Sequence, residues 1–335
     1  MIQRAGIYLP LMFRKKRTPG RSTGEPARAT VTRDHVVWAY RLLLDREPEN
    51  EDVIGPKRAG SRNTRELRNH LMSSAEFREK NPDAAATGVR TVVIKELDGH
   101  GSARLFIDLS DHVIGLGILR DEYEAEEIAV VRQQLRAGDV AVDVGAHIGY
   151  FAIRMAEAVG PSGRVFAFEP LAANAGLLER SVEENRFGDR VVVRRAAAGA
   201  VSGRASLTYP RETLNSGGAY LLDDGSAPPA GHMVAEVPVV ALDDAELARP
   251  VRLMKIDAEG AEPQVIRGAS RLIAGDRPVI LSEVHPGQLA RASGVTPDEY
   301  LAQLRALGYA ARDLRGAALE RAPADRILSV VFVPV

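Results

Sequence analysis

The sequence predicts an α/β chain: a mainly parallel sheet with helices on both faces, preceded by a small all-α module. Three observations predict it. Between residues 139 and 284 short apolar runs alternate with amphipathic stretches, the pattern of successive β-α-β units with right-handed crossovers. Two of these runs end in carboxylates, Asp143 and then Glu169, and the first is followed at once by a turn with glycines at 145 and 149. Residues 31 to 83, by contrast, carry apolar side chains at helical spacing.

Residues 1 to 30 are rich in Pro, Gly, Arg and Ser without periodicity and read as a disordered basic tail. An apolar stretch from Ala5 to Phe13 precedes the basic run RKKR at 14–17, the reverse of a secretory signal, and supports at most a weak peripheral membrane contact. The helical module spans 31–83. Val36, Val37, Tyr40, Leu43 and Leu44 recur at helical spacing after Thr32 as a cap, and Asn63 or Thr64 opens a second helix carrying Leu67, Leu71 and Phe77. Pro48, Gly55, Pro56 and Gly60 are expected to break the region between them. Pro82 to Gly88 reads as a linker, so the third domain covers 84–335.

In that domain the runs at 92–94 and 105–109 are strands joined by turn chemistry at 98–101, and a helix follows from Glu122 to Arg136. Further strands fall near 139–144, 164–169, 190–195, 251–257 and 278–284, and helices near 149–159, 171–186, 261–274 and 297–307. Residues 200–248 interrupt the alternation. They offer strands at 205–209 and 236–240 around a long Gly/Pro/Ala-rich loop, placed to cover a site at the strand ends. The run 326–335 is a terminal strand, inserted antiparallel.

The net charge of −1 gives no reason to expect nucleic acid as a partner. The absence of cysteine excludes disulfides, thiolate metal sites and a cysteine nucleophile, and fits a reducing, cytoplasmic setting. No apolar run reaches the ~18 residues that span a bilayer. Only six of the 44 basic residues are lysine, and Lys255 is the one lysine after Lys95, placed inside an apolar strand. That points to a site needing a compact ammonium.

The turn DVGAHIG (143–149) does not match the dinucleotide pattern G-x-G-x-x-G, because its acid precedes the first glycine. An acid there would repel a pyrophosphate and attract a cation. It is the arrangement of class I methyltransferases, whose cofactor S-adenosyl-L-methionine carries an ammonium and a sulfonium. Glu169 is then placed to grip ribose hydroxyls.

From here the chain resembles the FkbM family of methyltransferases. The residues that carry the resemblance are Tyr123-Glu124, DVGAHIG at 143–149, Phe168-Glu169-Pro170, Asn185, Leu242-Asp243, MKIDAEGAE at 254–262, Gly268-Ala269 and PVILSEVH at 278–285. His147 stands where the family commonly has Asn. The resemblance implies a Rossmann-like, seven-stranded sheet and methyl transfer from S-adenosylmethionine to a hydroxyl. The acceptor it implies is a sugar, glycan or glycosylated metabolite, or alternatively a polyketide-type product. The implied cofactor contacts are Glu124, Asp143, Gly145, His147, Gly149, Glu169, Asn185 and Ala197. The helical module resembles a domain of unknown function found beside glycan-modifying enzymes, which favours a carbohydrate acceptor; as an ordinary helical extension it would serve a homo-oligomer.

In an open α/β sheet, ligands sit at the carboxyl ends of the strands. Lys255, Asp257 and Glu259 end one strand and Glu283 and His285 the next, so these five should converge. His285 is the first candidate for the base that takes the hydroxyl proton, because imidazole titrates near pH ~6.5. Asp257 is the second, with Lys255 and Glu283 beside it. Glu259 and Asn215 are candidates for the acceptor site, whereas Glu262 has a structural reading at a helix start. No metal is expected: Asp257, Glu283 and His285 suit Mg²⁺ or Mn²⁺ only poorly to moderately. The remaining alternative is a non-catalytic cofactor-binding protein whose helical module recruits a partner.

Overall fold

The computed structural model describes residues 31–335 apart from 45, 62–63, 73, 75, 78–91, 98–102, 110, 112–113, 120–122, 211–216 and 223–226. The basic tail, the linker from Pro82 to Gly88, the turn at 98–101 and Asn215 therefore lie outside the described residues. The chain divides into two compact units, Met1–Arg90 and Thr91–Val335.

Among its described residues the first unit has three helices where the sequence suggested two: α1 (Arg33–Leu44), α2 (Glu51–Ala59) and α3 (Thr64–Met72). The helix α2 corrects the expectation of an irregular break. Asn50 caps it, its side chain accepting the N–H groups of Asp52 and Val53 at 2.9 and 3.2 Å. Ile54 of α2 packs with Val36, Tyr40 and Leu44 of α1 and Leu67 and Leu71 of α3. In so short a helix Pro56 removes a single ladder bond, and the cap and the buried isoleucine offset it.

The second unit opens with an antiparallel pair, β1 (Val92–Glu96) and β2 (Arg104–Asp108). There follow α4 (Ile114–Leu119), α5 (Ala125–Gln134), β3 (Val140–Val144), α6 (Tyr150–Val159), β4 (Arg164–Phe168), α7 (Ala172–Glu184) and β5 (Val191–Arg194). An insertion carries β6 (Ala197–Ala198), β7 (Gly203–Pro210), β8 (Tyr220–Leu221) and β9 (His232–Val240). The alternation resumes with β10 (Val251–Ile256), α8 (Glu262–Gly268), α9 (Ser270–Asp276), β11 (Val279–Val284), α10 (Pro286–Ser293), α11 (Pro297–Ala306), β12 (Tyr309–Arg312) and β13 (Leu328–Pro334).

The main sheet has seven strands in the order β12-β13-β11-β10-β3-β4-β5. Its five central and edge strands from β11 to β5 are parallel, and β13 enters antiparallel between β11 and β12, as the terminal run suggested. Both faces are covered, so β3 reads as an unbroken buried run. Its side chains still alternate. Val140, Val142 and Val144 join one core cluster with Phe166, Phe168, Met254 and Ile256; Ala141 joins the other with Val165, Ala167, Leu253 and Leu281. That period of two puts Asp143, Lys255 and Glu283 on a single face of the sheet. Asp143 and Lys255 are registered partners on adjacent strands.

The insertion at 200–248 is more ordered than a loop. It forms a four-stranded sheet, β6-β9-β7-β8, with β7 and β9 longer than the expected 205–209 and 236–240. The expected helix at 261–274 is two helices, α8 and α9, and α10 was not foreseen. The pair Leu242-Asp243 has a structural role, since the Asp243 carboxylate caps α9 and accepts the N–H groups of Arg271 and Leu272 at 2.8 Å each. No helix among the described residues is long and apolar enough to cross a membrane.

Candidate active site

The carboxyl ends of β3, β4, β10 and β11 open into a cavity of about 400 Å³. The side nearest β3 and β4 is built from backbone. Gly145 and Ala146 both donate to the Phe168 carbonyl at 3.0 Å, which ties the turn after β3 to the end of β4. Gly145 has φ +75°, and a Cβ there would lie 1.8 Å from the carbonyl oxygen of Asp257, so only glycine lets the ends of β3 and β10 approach so closely. His147 is also left-handed, at φ 51°, which aims its N–H at Glu169 Oε2 at 2.9 Å. Leu171 N–H donates to Glu169 Oε1 at 2.8 Å, and the Asn174 side chain adds a further hydrogen bond. Burial nevertheless pushes Glu169 up to about 7.

The opposite side is built from side chains. Lys255 is 7% exposed, pairs with Asp257 Oδ2 at 3.0 Å and lies over the Phe151 ring at 4.5 Å. Burial lowers its proton affinity, but Asp257, Asp143 and Glu124 together hold it above the ordinary lysine value. Burial pushes Glu124 up to about 7, against the pull of Lys255. Burial, reinforced by Asp257 and Glu283, pushes Glu259 up to about 9. Burial also holds Glu283 above the usual carboxylate range, with Asp257 reinforcing it. Glu259 is left-handed at φ 53° and accepts the Gln288 side-chain amide. His285 caps α10, its Nδ1 accepting the Gln288 backbone N–H at 3.4 Å.

Glu124, Gly145, His147, Glu169, Ala197, Lys255, Asp257, Glu259, Glu283 and His285 thus share the cavity wall. Three of the expected cofactor contacts do not reach it. Asp143 is fully buried beneath the wall; neither oxygen closes a good hydrogen bond, although Lys255 and the Ala152 N–H favour its charged form, and burial pushes it up to about 6. Its position follows from strand alternation, which turns it under α6. Gly149 starts α6, where a Cβ would meet Leu178 at 2.4 Å, so its role there is packing. Asn185 lies away from the cavity at the far end of α7, where it donates to the Arg104 carbonyl at 2.6 Å and accepts the Arg104 N–H at 2.7 Å. Helix α7 leaves the carboxyl end of β4 and runs back to the start of β5, so its last residue belongs to the opposite edge of the sheet. Glu262, as expected, is structural, accepting the N–H groups of Ala258 and Gly260 at 2.8 and 3.2 Å.

Sequence reasoning missed Asn174, Tyr220 and Gln288. Asn174 had a signal, since it lies in the first turn of the helix that follows Glu169. Tyr220 comes from the insertion and is held by Arg291, whose guanidinium stacks over its ring at 3.9 Å. Among the described residues no group of three or more His, Asp or Glu is arranged to hold a metal ion.

The residues present fit a cofactor that is cationic at one end and a nucleoside at the other. Asp143, Glu124, Asp257 and Glu283 surround a single ammonium, which leaves excess negative charge for a sulfonium and an amino group. Glu169, fixed by two backbone N–H groups, retains acceptor lone pairs for ribose hydroxyls.

Comparison with known proteins agrees. A family model described as the methyltransferase FkbM domain matches residues 143–311. The 31-O-demethyl-FK506 methyltransferase FkbM of Streptomyces tacrolimicus is 30% identical over 179 residues, which cover 45% of this chain and 67% of that protein. A solved FkbM methyltransferase from Methylobacillus flagellatus KT matches with TM-score 0.38 and 17% identity, over 89% of this chain and 58% of that one. An O-methyltransferase from Thermotoga maritima matches with TM-score 0.37 and 15% identity, over 63% of this chain and 65% of that one. The chain belongs to the FkbM methyltransferase family, and its methyl donor is S-adenosylmethionine.

Proposed function

We propose that the protein methylates a hydroxyl of a sugar, glycan or glycosylated metabolite, and that Glu283 is the group that takes the hydroxyl proton. The observation that carries this reading is the row of titratable groups on one sheet face, Lys255 and Glu283 with Asp257 at the strand end, facing the turn after β3. When bound, S-adenosylmethionine supplies a sulfonium methyl to which the acceptor oxygen bonds as the carbon–sulfur electrons return to sulfur. The chain's own residues then place the hydroxyl in line and accept its proton.

Three groups compete for the proton. His285 uses Nδ1 to accept the Gln288 N–H, so its neutral ring carries its proton on Nε2 and offers a donor rather than a base. Asp257 is paired with Lys255 at 3.0 Å, so its Oδ2 is already engaged. Glu283 has its proton affinity raised by burial, towards the range where a general base is effective near neutral pH. Lys255 holds Asp257 and orients the acceptor oxygen. Glu124, Gly145, His147, Glu169 and Ala197 hold the cofactor, with Asp143 acting from below through charge; Glu259 faces the acceptor.

A second reading, a polyketide-type acceptor, is favoured by the relative that acts on the 31-O position of demethyl-FK506 and by the aliphatic side chains Ile114, Leu207, Leu221 and Ile327 on the wall. The test is radiolabelled methyl transfer to separate glycan and polyketide-alcohol pools, run on wild type, Glu283→Gln and His285→Ala across pH. Glu283→Gln should lower kcat by a factor of about 10² to 10⁴, with cofactor affinity kept. A full-activity Glu283→Gln enzyme would remove the base assignment, and cofactor binding without transfer to either pool would favour a non-catalytic role.

A further inference from the structure

A second cavity, of about 600 Å³, opens in the second unit away from the strand ends that carry methyl transfer. Its wall comes from the start of β2, the ends of α5 and α6, and the segment from the end of α7 to Arg190. It shares no described residue with the active-site cavity. Helices α6 and α7 each run back from the carboxyl end of a parallel strand, so the cavity lies towards the amino ends of the sheet.

Five arginines line it, Arg104, Arg132, Arg154, Arg186 and Arg190, against two carboxylates, Glu157 and Glu184. Three of the five are committed: Arg104 to Glu184 at 2.7 Å, Arg154 to Glu157 at 3.1 Å and Arg190 to Asp189 at 3.0 Å. Arg132 and Arg186 form no ion pair among the described residues. Helix capping does not occupy them either. The carboxyl end of α5 is answered by Arg136, whose guanidinium donates to the carbonyls of Arg132, Gln133 and Leu135 at 3.3, 2.8 and 2.8 Å. The end of α7 is answered by the Asn185 amide, which donates to the Ser181 carbonyl at 2.6 Å. Arg186 follows in the left-handed conformation, at φ 56°, where glycine is the usual residue.

The chemistry of a ligand follows from these two cations. A guanidinium matches a phosphate with two parallel N–H donors, and a pair of them balances the two charges of a phosphoryl group. A carboxylate would answer one alone. Both residues are exposed, so an anion reaches them from solvent. The volume falls within the roughly 300–1,000 Å³ of small-molecule sites, which leaves room for the molecule that bears the phosphoryl group.

We propose that this cavity is an anion site, separate from the methyl-transfer site, in which Arg132 and Arg186 hold the phosphoryl group of a phosphate-bearing ligand. The site stands independently of which acceptor is methylated.

The test titrates the full chain calorimetrically with inorganic pyrophosphate, free of divalent metal and at constant ionic strength in chloride. Wild type is compared with the double variants Arg132→Gln/Arg186→Gln and Arg132→Lys/Arg186→Lys. A second arm measures sedimentation with vesicles of phosphatidylcholine and phosphatidic acid in equal parts. The glutamine pair should lose affinity by a factor of about a hundred or more. The lysine pair, which keeps the charge without the fork, should fall between it and wild type. Melting temperature and affinity for S-adenosylmethionine should stay as in wild type. Binding of free pyrophosphate without vesicle binding assigns a soluble ligand, and vesicle binding that the glutamine pair loses assigns a lipid headgroup. The proposal is overturned if wild type binds neither probe, or if the glutamine pair binds as wild type does. It is also overturned if saturating S-adenosylhomocysteine displaces pyrophosphate, since the anion would then occupy the methyl-transfer cavity.

Discussion

The two sides of the cavity are held by different means. After β3 and β4, the geometry is set by main chain: Gly145 and Ala146 bonded to the Phe168 carbonyl, and Glu169 clasped between the N–H groups of His147 and Leu171. After β10 and β11, it is set by side chains: Lys255, Asp257, Glu259 and Glu283, with one ammonium among several carboxyls. The first side is held by hydrogen bonds from backbone N–H groups. The second has an arrangement that depends on where its protons are, and so on pH and on the charge of what enters.

The largest expected effect breaks the rigid side. In Gly145→Ala the new Cβ meets the Asp257 carbonyl oxygen at 1.8 Å, and the residue must also hold φ +75°. The strain and the displacement of β10 should cost roughly 2–4 kcal/mol and remove measurable cofactor binding. Calorimetric unfolding decides it: a variant within about 1 kcal/mol of wild type would show that this turn is not the rigid element claimed.

A smaller effect is expected on the other side. Lys255→Met removes the ammonium that draws Glu124 and Glu283 towards their charged forms. Their proton affinities should rise, and the acid limb of the pH–rate profile should move to higher pH by about one unit or more. An acid limb that stays in place would separate Lys255 from the carboxyls that set the profile.

The same contrast appears in stability without mutation. Burial pushes Glu124 and Glu262 up to about 7 and Glu259 up to about 9, from an ordinary 4.5. A carboxyl whose folded value lies above its unfolded one favours folding most when protonated. The contribution is complete below about 4.5 and is lost as pH climbs through 7 and then 9. The melting temperature of the cofactor-free protein should therefore fall between pH 5 and pH 9, by roughly 5 °C or more. Saturating S-adenosylmethionine should flatten the slope, since its cations favour the charged carboxyls. Differential scanning fluorimetry across pH checks both, and a melting temperature that rises over that interval would contradict the reading of the acid-rich side.

Much of this was legible in the sequence for a physical reason. Parallel strands buried on both faces are unbroken apolar runs, so β3, β4, β10 and β11 stand out, and a lysine or acid at their carboxyl ends stands out more. The same logic found Lys255, Asp257, Glu283 and His285. What was not legible depends on contacts distant in sequence. Helix α2 forms despite Gly55 and Pro56 because Ile54 is buried against α1 and α3. The insertion becomes a sheet because β9 pairs with β6 and β7. Gln288 reaches the cavity on α10, which was not foreseen.

The smallest effect tests the misplaced residue. The family resemblance implied Asn185 as a cofactor contact, but a helix that crosses back over the sheet ends at the opposite edge. There it fastens the end of α7 to Arg104 of β2 through both its amide groups. Asn185→Ala removes those bonds at a partly exposed site, so stability should drop by about 1 kcal/mol, a shift of a few degrees in melting temperature, while the affinity for S-adenosylmethionine stays within twofold. A tenfold loss of affinity at unchanged stability would instead return Asn185 to the cofactor and require the two sides of the cavity to be redrawn.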